Sequence, residues 1–340
     1  MANKERQSNI EMLRIVTILL IVFMHGIGCV YQTTNTWNLA GYTLVNAFGN
    51  MGVTIFIIIS GYFGLHFRPS RAVNLWLTMF FYSLLIFLVL GMTTSHGMQW
   101  NSLYTALTPV SSCKWWFMTC YFVLFFLSPF INKVVDSLSQ DQMKYFLGLM
   151  ILFFVLFPTI LRNPITHDGG KGFPNFILAY FIGQYIAKYD LPKKIVKYSG
   201  TILLSCGIII FLVDFIIRVN NIHSPSIFCK DNNLFIVLGA ISFFLWVRKH
   251  PFHSPAINYL AGYSFPLYLM NMTVLSFLIF QYKPLVNSVS IWTYFIIVQL
   301  EIFFIVFIVE FVRRMILGRT IKALEAWTDG FCSRILCLYK

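Results

Sequence analysis

Apolar residues in this chain fall in long runs of about 17 to 24 positions, separated by short polar segments. A helix rising about 1.5 Å per residue needs about 20 such positions to cross a hydrocarbon core of about 30 Å. The runs lie approximately at 12–31, 41–63, 73–95, 115–131, 145–161, 174–190, 199–218, 232–247, 257–280 and 291–311. They predict an all-α integral membrane protein of about ten transmembrane helices. The fifth and sixth runs are short, and the ninth is interrupted by Gly262 and Pro266. No internal repeat is visible, so an inverted-repeat transporter draws no support.

Composition agrees, since 58% of the residues are hydrophobic and 11% charged, which excludes a water-soluble domain. In that setting a net charge of +13 concerns orientation, and nucleic acid is excluded as a partner. Nineteen of the 25 Lys and Arg fall in the tails and alternate connections, whereas Lys114, Arg162, Lys171, Arg218, Lys230 and Lys283 fall in the others. That bias predicts cytoplasmic N- and C-termini. The first run lacks a small-residue cleavage pattern and is expected to remain as a helix in the bilayer. Residues 1–311 read as a transmembrane domain and 312–340 as a basic cytoplasmic tail, whose IKALEAW segment is expected to lie on the inner leaflet. The seven cysteines, Cys29 among them, form no CxxC pair and read as apolar filler.

Ionisable side chains inside a bilayer cost about 2.5 to 3.5 kcal/mol on insertion scales, so each requires a reason. Of seven histidines, His25 alone falls inside a span, while His66, His96, His167, His223, His250 and His253 fall in loops or at span ends. Arg14 precedes it by eleven residues, which is three turns plus about 20°, so both project from one helix face about 16 Å apart. Such a stripe matches a long ligand and is too long for a salt bridge. A neutral imidazole keeps one bare nitrogen, able to take a proton from a hydroxyl or to attack an acyl group. Glu11, at i,i+3, is placed to orient the Arg14 guanidinium. Arg68 and Arg71 lie on the same predicted side and converge with Arg14 on an anionic ligand. Asp214 is expected to pair with Arg218 at i,i+4, and Glu301 and Glu310 are further charges within a span. Trp37, Trp100, Tyr104, Trp115, Trp116 and Tyr121 read as an interface belt. Metal-ligand pairs, a Walker loop, GxSxG and GxGxxG are all absent, which disfavours metal and ATP hydrolysis.

NIEMLRIVTILLIVFMHG resembles the first helix of the membrane acyltransferase-3 family, whose Arg and His separated by ten residues are here Arg14 and His25. GNMGVTIFIIISGYF is similar to the family's second-helix pattern, with Ser60, Gly61 and Tyr62 as its last elements. WWFMTCYFVLFFLSPFIN and AGYSFPLYLMNM resemble its Trp-Phe and late Ser-x-x-x-Tyr-Leu blocks. Members transfer acyl groups, most often acetyl from acetyl-CoA, to extracytoplasmic or lipid-linked glycans. The resemblance therefore implies a polysaccharide O-acetyltransferase of the bacterial cytoplasmic membrane. It places His25 and Glu11 in the catalytic set, His25 as base or acyl carrier, and Arg14, Arg68, Arg71 and Ser60 in the donor-binding set, with no metal. At two places the chain departs from the pattern: Lys114 and Trp115 stand where many members have His before Trp-Phe, and Asn271 stands where many have His, so neither position is assigned a role. No esterase-like domain is fused before Lys340, which implies direct delivery or hand-over to a separate extracytoplasmic or assembly partner. A glycan transporter or flippase is the alternative, and it calls for a polar lumen that few charges are available to line.

Overall fold

The computed structural model describes residues 6–27, 36–93, 99–161, 165–220, 222, 229–282 and 291–338. Cys29, His96, Arg162, His223 and Lys283, as well as residues 28–31 of the first run, lie outside them. Helices α1 (Ser8–Ile27), α2 (Thr36–Gly49), α3 (Gly52–Phe63), α4 (Pro69–Thr93), α5 (Trp100–Leu107), α6 (Trp116–Ser137) and α7 (Gln140–Ile151) form the first half. The second half comprises α8 (Phe173–Lys188), α9 (Lys193–Lys197), α10 (Ser199–Val219), α11 (Leu234–Arg248), α12 (Pro255–Leu260), α13 (Ser264–Tyr282) and α14 (Ile291–Leu338). Among the described residues there is no strand. α7 continues as π-helical turns over Leu152–Leu161, where Pro158 withholds an N–H from the ladder.

Among the described residues, seven helical stretches are long and apolar enough to cross a membrane: Ser8–Ile27, Thr36–Phe63, Pro69–Thr93, Trp116–Ser137, Gln140–Leu161, Ser199–Val219 and Phe295–Cys332. The runs read at 174–190 and 232–247 form helices of 16 and 15 residues. The second run is divided at Asn50 and Met51, where Gly49 and Gly52 bring the backbone against Met24 and Ile21 of α1. The ninth breaks at Ala261–Tyr263, one turn earlier than Pro266, which sits in the first turn of α13. α14 runs unbroken through residues 311 and 312.

Among the described residues, two large apolar clusters and a small third one, around Ile27 and Phe295, build the core. One large cluster gathers α3, α8, α10 and α11 around Ile58, Phe176, Tyr180 and Phe244; the other gathers α1, α4, α13 and α14 around Ile18, Tyr82, Leu269 and Ile302. Phe117 and Tyr121 of α6 pack against both, so α6 marks the seam. The predicted Asp214–Arg218 pair is present at 2.9 Å, with Asp214 buried. The five described cysteines for which side chains are placed are free thiols.

The belt of aromatic residues needs correction. Trp37, Trp100 and Tyr104 are exposed, as an interface belt requires. Trp115, Trp116 and Tyr121 are half-buried within the bundle: Trp116 packs edge-on against Phe117 and Phe176, and Tyr121 stacks on Phe117. Being at the predicted outer end of a span, these rings matched a belt by position, but the α6 start is turned inward.

Candidate active site

Because α1 is uninterrupted from Ser8 to Ile27, Arg14 and His25 fall on one face of a rigid rod. At the seam beside it lies a cavity of about 240 Å³. Its wall is formed by Arg14 and Ile21 of α1, Val53, Phe56 and Ser60 of α3, Phe117, Met118 and Tyr121 of α6, and Ser264 and Tyr268 of α13. Pockets for drug-sized ligands measure about 300 to 1,000 Å³, so this smaller space suits an extended arm and not a whole nucleotide.

His25 does not line the cavity. It stands one turn beyond Ile21, and its partner Asn271 stands one turn beyond Tyr268, so the pair sits at the cavity's far end from Arg14. Nδ1 of His25 lies 2.9 Å from Oδ1 of Asn271. Nδ2 of Asn271 donates to the carbonyls of Leu267 at 3.1 Å and Tyr268 at 2.7 Å. Turning the amide over would set Oδ1 against both carbonyl oxygens, so the amide orientation is determined. Lys171, in the loop before α8, lies within electrostatic reach of His25 and stacks its ammonium 5.6 Å over the Trp116 ring.

At the other end, Arg14 faces Glu11 across 3.6 Å, and Arg6 faces the same carboxylate oxygen at 3.6 Å. Glu11 is buried whereas the Arg14 side chain is 31% exposed, so the acid anchors and the guanidinium remains available to a ligand. Ser60 donates to the Phe56 carbonyl at 2.9 Å, which leaves its oxygen as an acceptor in the cavity wall. Arg68 and Arg71 are exposed at the start of α4 and are not part of the wall. Arg71 precedes the wall residue Leu75 by one turn, which sets it at the rim.

Several residues here were not singled out from the sequence. Asn271 was passed over as a departure from a pattern, and its contact joins residues 246 positions apart, with no local signal. Ser264 presents a buried hydroxyl without a partner to the cavity wall; the late Ser-x-x-x-Tyr-Leu block was its available signal. Trp115 donates its indole N–H to the Leu269 carbonyl at 3.1 Å, bracing α6 against α13 beside Asn271. Lys114 is held by the Ser83 carbonyl at 3.2 Å and hydroxyl at 2.9 Å, and burial lowers its ammonium to about 8. Among the described residues, no cluster of His, Cys, Asp and Glu is able to hold a metal.

A bundle of long apolar helices around a partly open cavity with Arg14 in its wall is the architecture of an integral membrane protein. A family model for the acyltransferase domain of the acyltransferase-3 family matches residues 7–310. The chain belongs to the membrane acyltransferase-3 family, and is a multi-pass membrane acyltransferase. No curated protein and no solved structure matches it.

Proposed function

We propose that this acyltransferase moves an acetyl group from cytosolic acetyl-CoA to a hydroxyl of a cell-surface or lipid-linked glycan at the bacterial cytoplasmic membrane. Both termini are cytoplasmic in this reading, which places Arg14 at the inner face and His25 deeper in the bilayer. The observation that carries it is the cavity that starts at Arg14 and ends one turn from His25. Its mostly apolar walls accept a flexible pantetheine arm, with Ser60 and Ser264 offering hydrogen bonds to the arm's amides. Arg14, held by Glu11, receives the phosphates together with Arg71 at the rim, and the exposed Arg68 adds its charge on the same side.

The arm delivers the thioester carbonyl to His25, and the acceptor approaches from the side of Lys171 and Trp116. Nε2 takes the hydroxyl proton as the acceptor oxygen bonds to the carbonyl carbon. The C–S bond breaks, the departing sulfur takes the proton from Nε2, and O-acetyl glycan and free CoA result. The ring ends neutral.

The test is transfer of radiolabelled acetyl from acetyl-CoA in membranes holding wild-type or His25→Ala protein at matched abundance, with total cell glycan as acceptor. Label that enters glycan and is lost with His25 supports the reading. Label unchanged by the substitution, or none with a full set of acceptors, overturns it.

A further inference from the structure

The two nitrogens of His25 are not equivalent. Asn271 Nδ2 is committed to two carbonyls of its own helix, so Oδ1 faces His25 as an acceptor. Nδ1 must then carry the proton that fills the 2.9 Å contact. Nε2 is left with a lone pair and no protein partner among the described residues. Trp115, bonded to the Leu269 carbonyl, braces the same stretch of α13.

We propose that Asn271 is a positioning residue for His25, holding the imidazole as the Nδ1–H tautomer so that Nε2 is the reacting nitrogen. The role in transfer rests on the functional reading above; the tautomer does not. A consequence separates the two chemistries open to His25. An Nε2-acetylated ring would stay cationic, because its Nδ1 proton has only an amide oxygen beside it, and an amide oxygen is not a base. A ring acting as base is cationic only between taking the hydroxyl proton and returning it to the sulfur. The neutral partner therefore fits direct transfer within a complex of donor and acceptor. Among the described residues, the charged group that reaches His25 is Lys171, from the loop before α8. From α14 the side chain packed nearest this turn, on Gly26, is the neutral Gln299.

The experiment uses the intact protein in detergent or nanodiscs. With ¹⁵N-labelled histidine, and His25→Gln to assign the signal, the His25 resonances are expected to report a protonated Nδ1 and a bare Nε2. A proton on Nε2 overturns the proposal. In transfer assays Asn271→Leu is expected to lower kcat about 10- to 100-fold with little change in the KM for acetyl-CoA. Asn271→Asp, which keeps an acceptor for Nδ1 while losing the donor to the Leu267 and Tyr268 carbonyls and adding charge, is expected to retain part of the transfer while moving the acid limb of the pH profile upward by about one unit or more. A leucine variant with wild-type kcat and pH profile overturns the role, as does acetyl label recovered covalently on His25. If wild-type membranes move no acetyl group, the functional reading falls, and the histidine spectrum still decides the tautomer.

Discussion

Gly61 and Gly183 place the backbones of α3 and α8 in direct contact. A Cβ on Gly61 would lie 2.2 Å from the Tyr180 carbonyl oxygen, and one on Gly183 would lie 2.3 Å from that of Ile58. Those obstacles are backbone atoms, which cannot rotate away. Small residues at such crossings let helices associate without a hydrophobic drive in lipid. Gly61→Ala and Gly183→Ala are each expected to destabilise by about 1–3 kcal/mol, with the double variant costing less than the sum because one separation relieves both clashes. Thermal unfolding in detergent, followed by size-exclusion recovery, measures this; unchanged stability in both single variants would count against the contact.

The same pair marks where sequence reading reaches its limit. Run length and mean hydropathy are local properties, so the apolar segments and the Arg14–His25 stripe could be read without coordinates. Gly61 was visible as part of SGYF, but the reason for it was not, because its neighbour Tyr180 lies on another helix. Asn271 was hidden for the same reason. The break at Asn50 and Met51 was masked by the hydrophobicity on both sides, which is continuous although the helix is not. Glu310 was seen as a charge in a span, whereas the partners that make it tolerable include Tyr82, far away in sequence.

Glu310 is fully enclosed by donors. Arg313 reaches it at 2.6 and 2.9 Å, Arg314 at 2.6 Å and the Tyr82 hydroxyl at 2.5 Å. Arg314 also donates to the Gly262 carbonyl at 2.7 Å, between the cavity residues Ala261 and Ser264. Removing the carboxylate leaves Arg313 buried without its anion, and such losses cost about 3–5 kcal/mol. The 37% exposure of the Arg314 side chain tempers its share. Glu310→Ala is therefore expected to lower thermal stability far more than Tyr82→Phe, for which about 1 kcal/mol is expected. Because the Gly262 turn is released, the KM for acetyl-CoA should rise in the Glu310 variant as well. A Glu310→Ala protein as stable as wild type would refute the assignment.

Arg14 and His25 should separate cleanly in kinetics. In its proposed role, the partly exposed Arg14 guanidinium would bind donor phosphate in the ground state and transition state alike, so its loss would raise KM more than it lowers kcat. Arg14→Ala is expected to raise the KM for acetyl-CoA about tenfold, equivalent to about 1.4 kcal/mol. Arg14→Lys should recover part of it, and Glu11→Gln should show a smaller rise by leaving the guanidinium unoriented. Initial rates against acetyl-CoA concentration give the answer. A fall in kcat at unchanged KM would move Arg14 out of the donor site.

Asp231, between α10 and α11, gives a pH dependence whose sign follows from its burial. It is 5% exposed with one oxygen lacking a partner, and its backbone N–H is tied to Gly169 at 3.0 Å. Burial raises its carboxyl from 3.8 to about 7, with Asp168 adding to the rise and Lys171 opposing it. The folded state therefore binds more protons than the unfolded state between 3.8 and about 7. This site's contribution to stability is complete below that window, declines as pH rises through it, and is absent above about 7. Asp231→Asn keeps the shape and removes the titration. Relative to that variant, the melting temperature of the wild type is expected to fall as pH is raised from about 5 to about 8. Parallel melting curves for the two proteins across the range would mean that Asp231 is ionised in the folded state throughout.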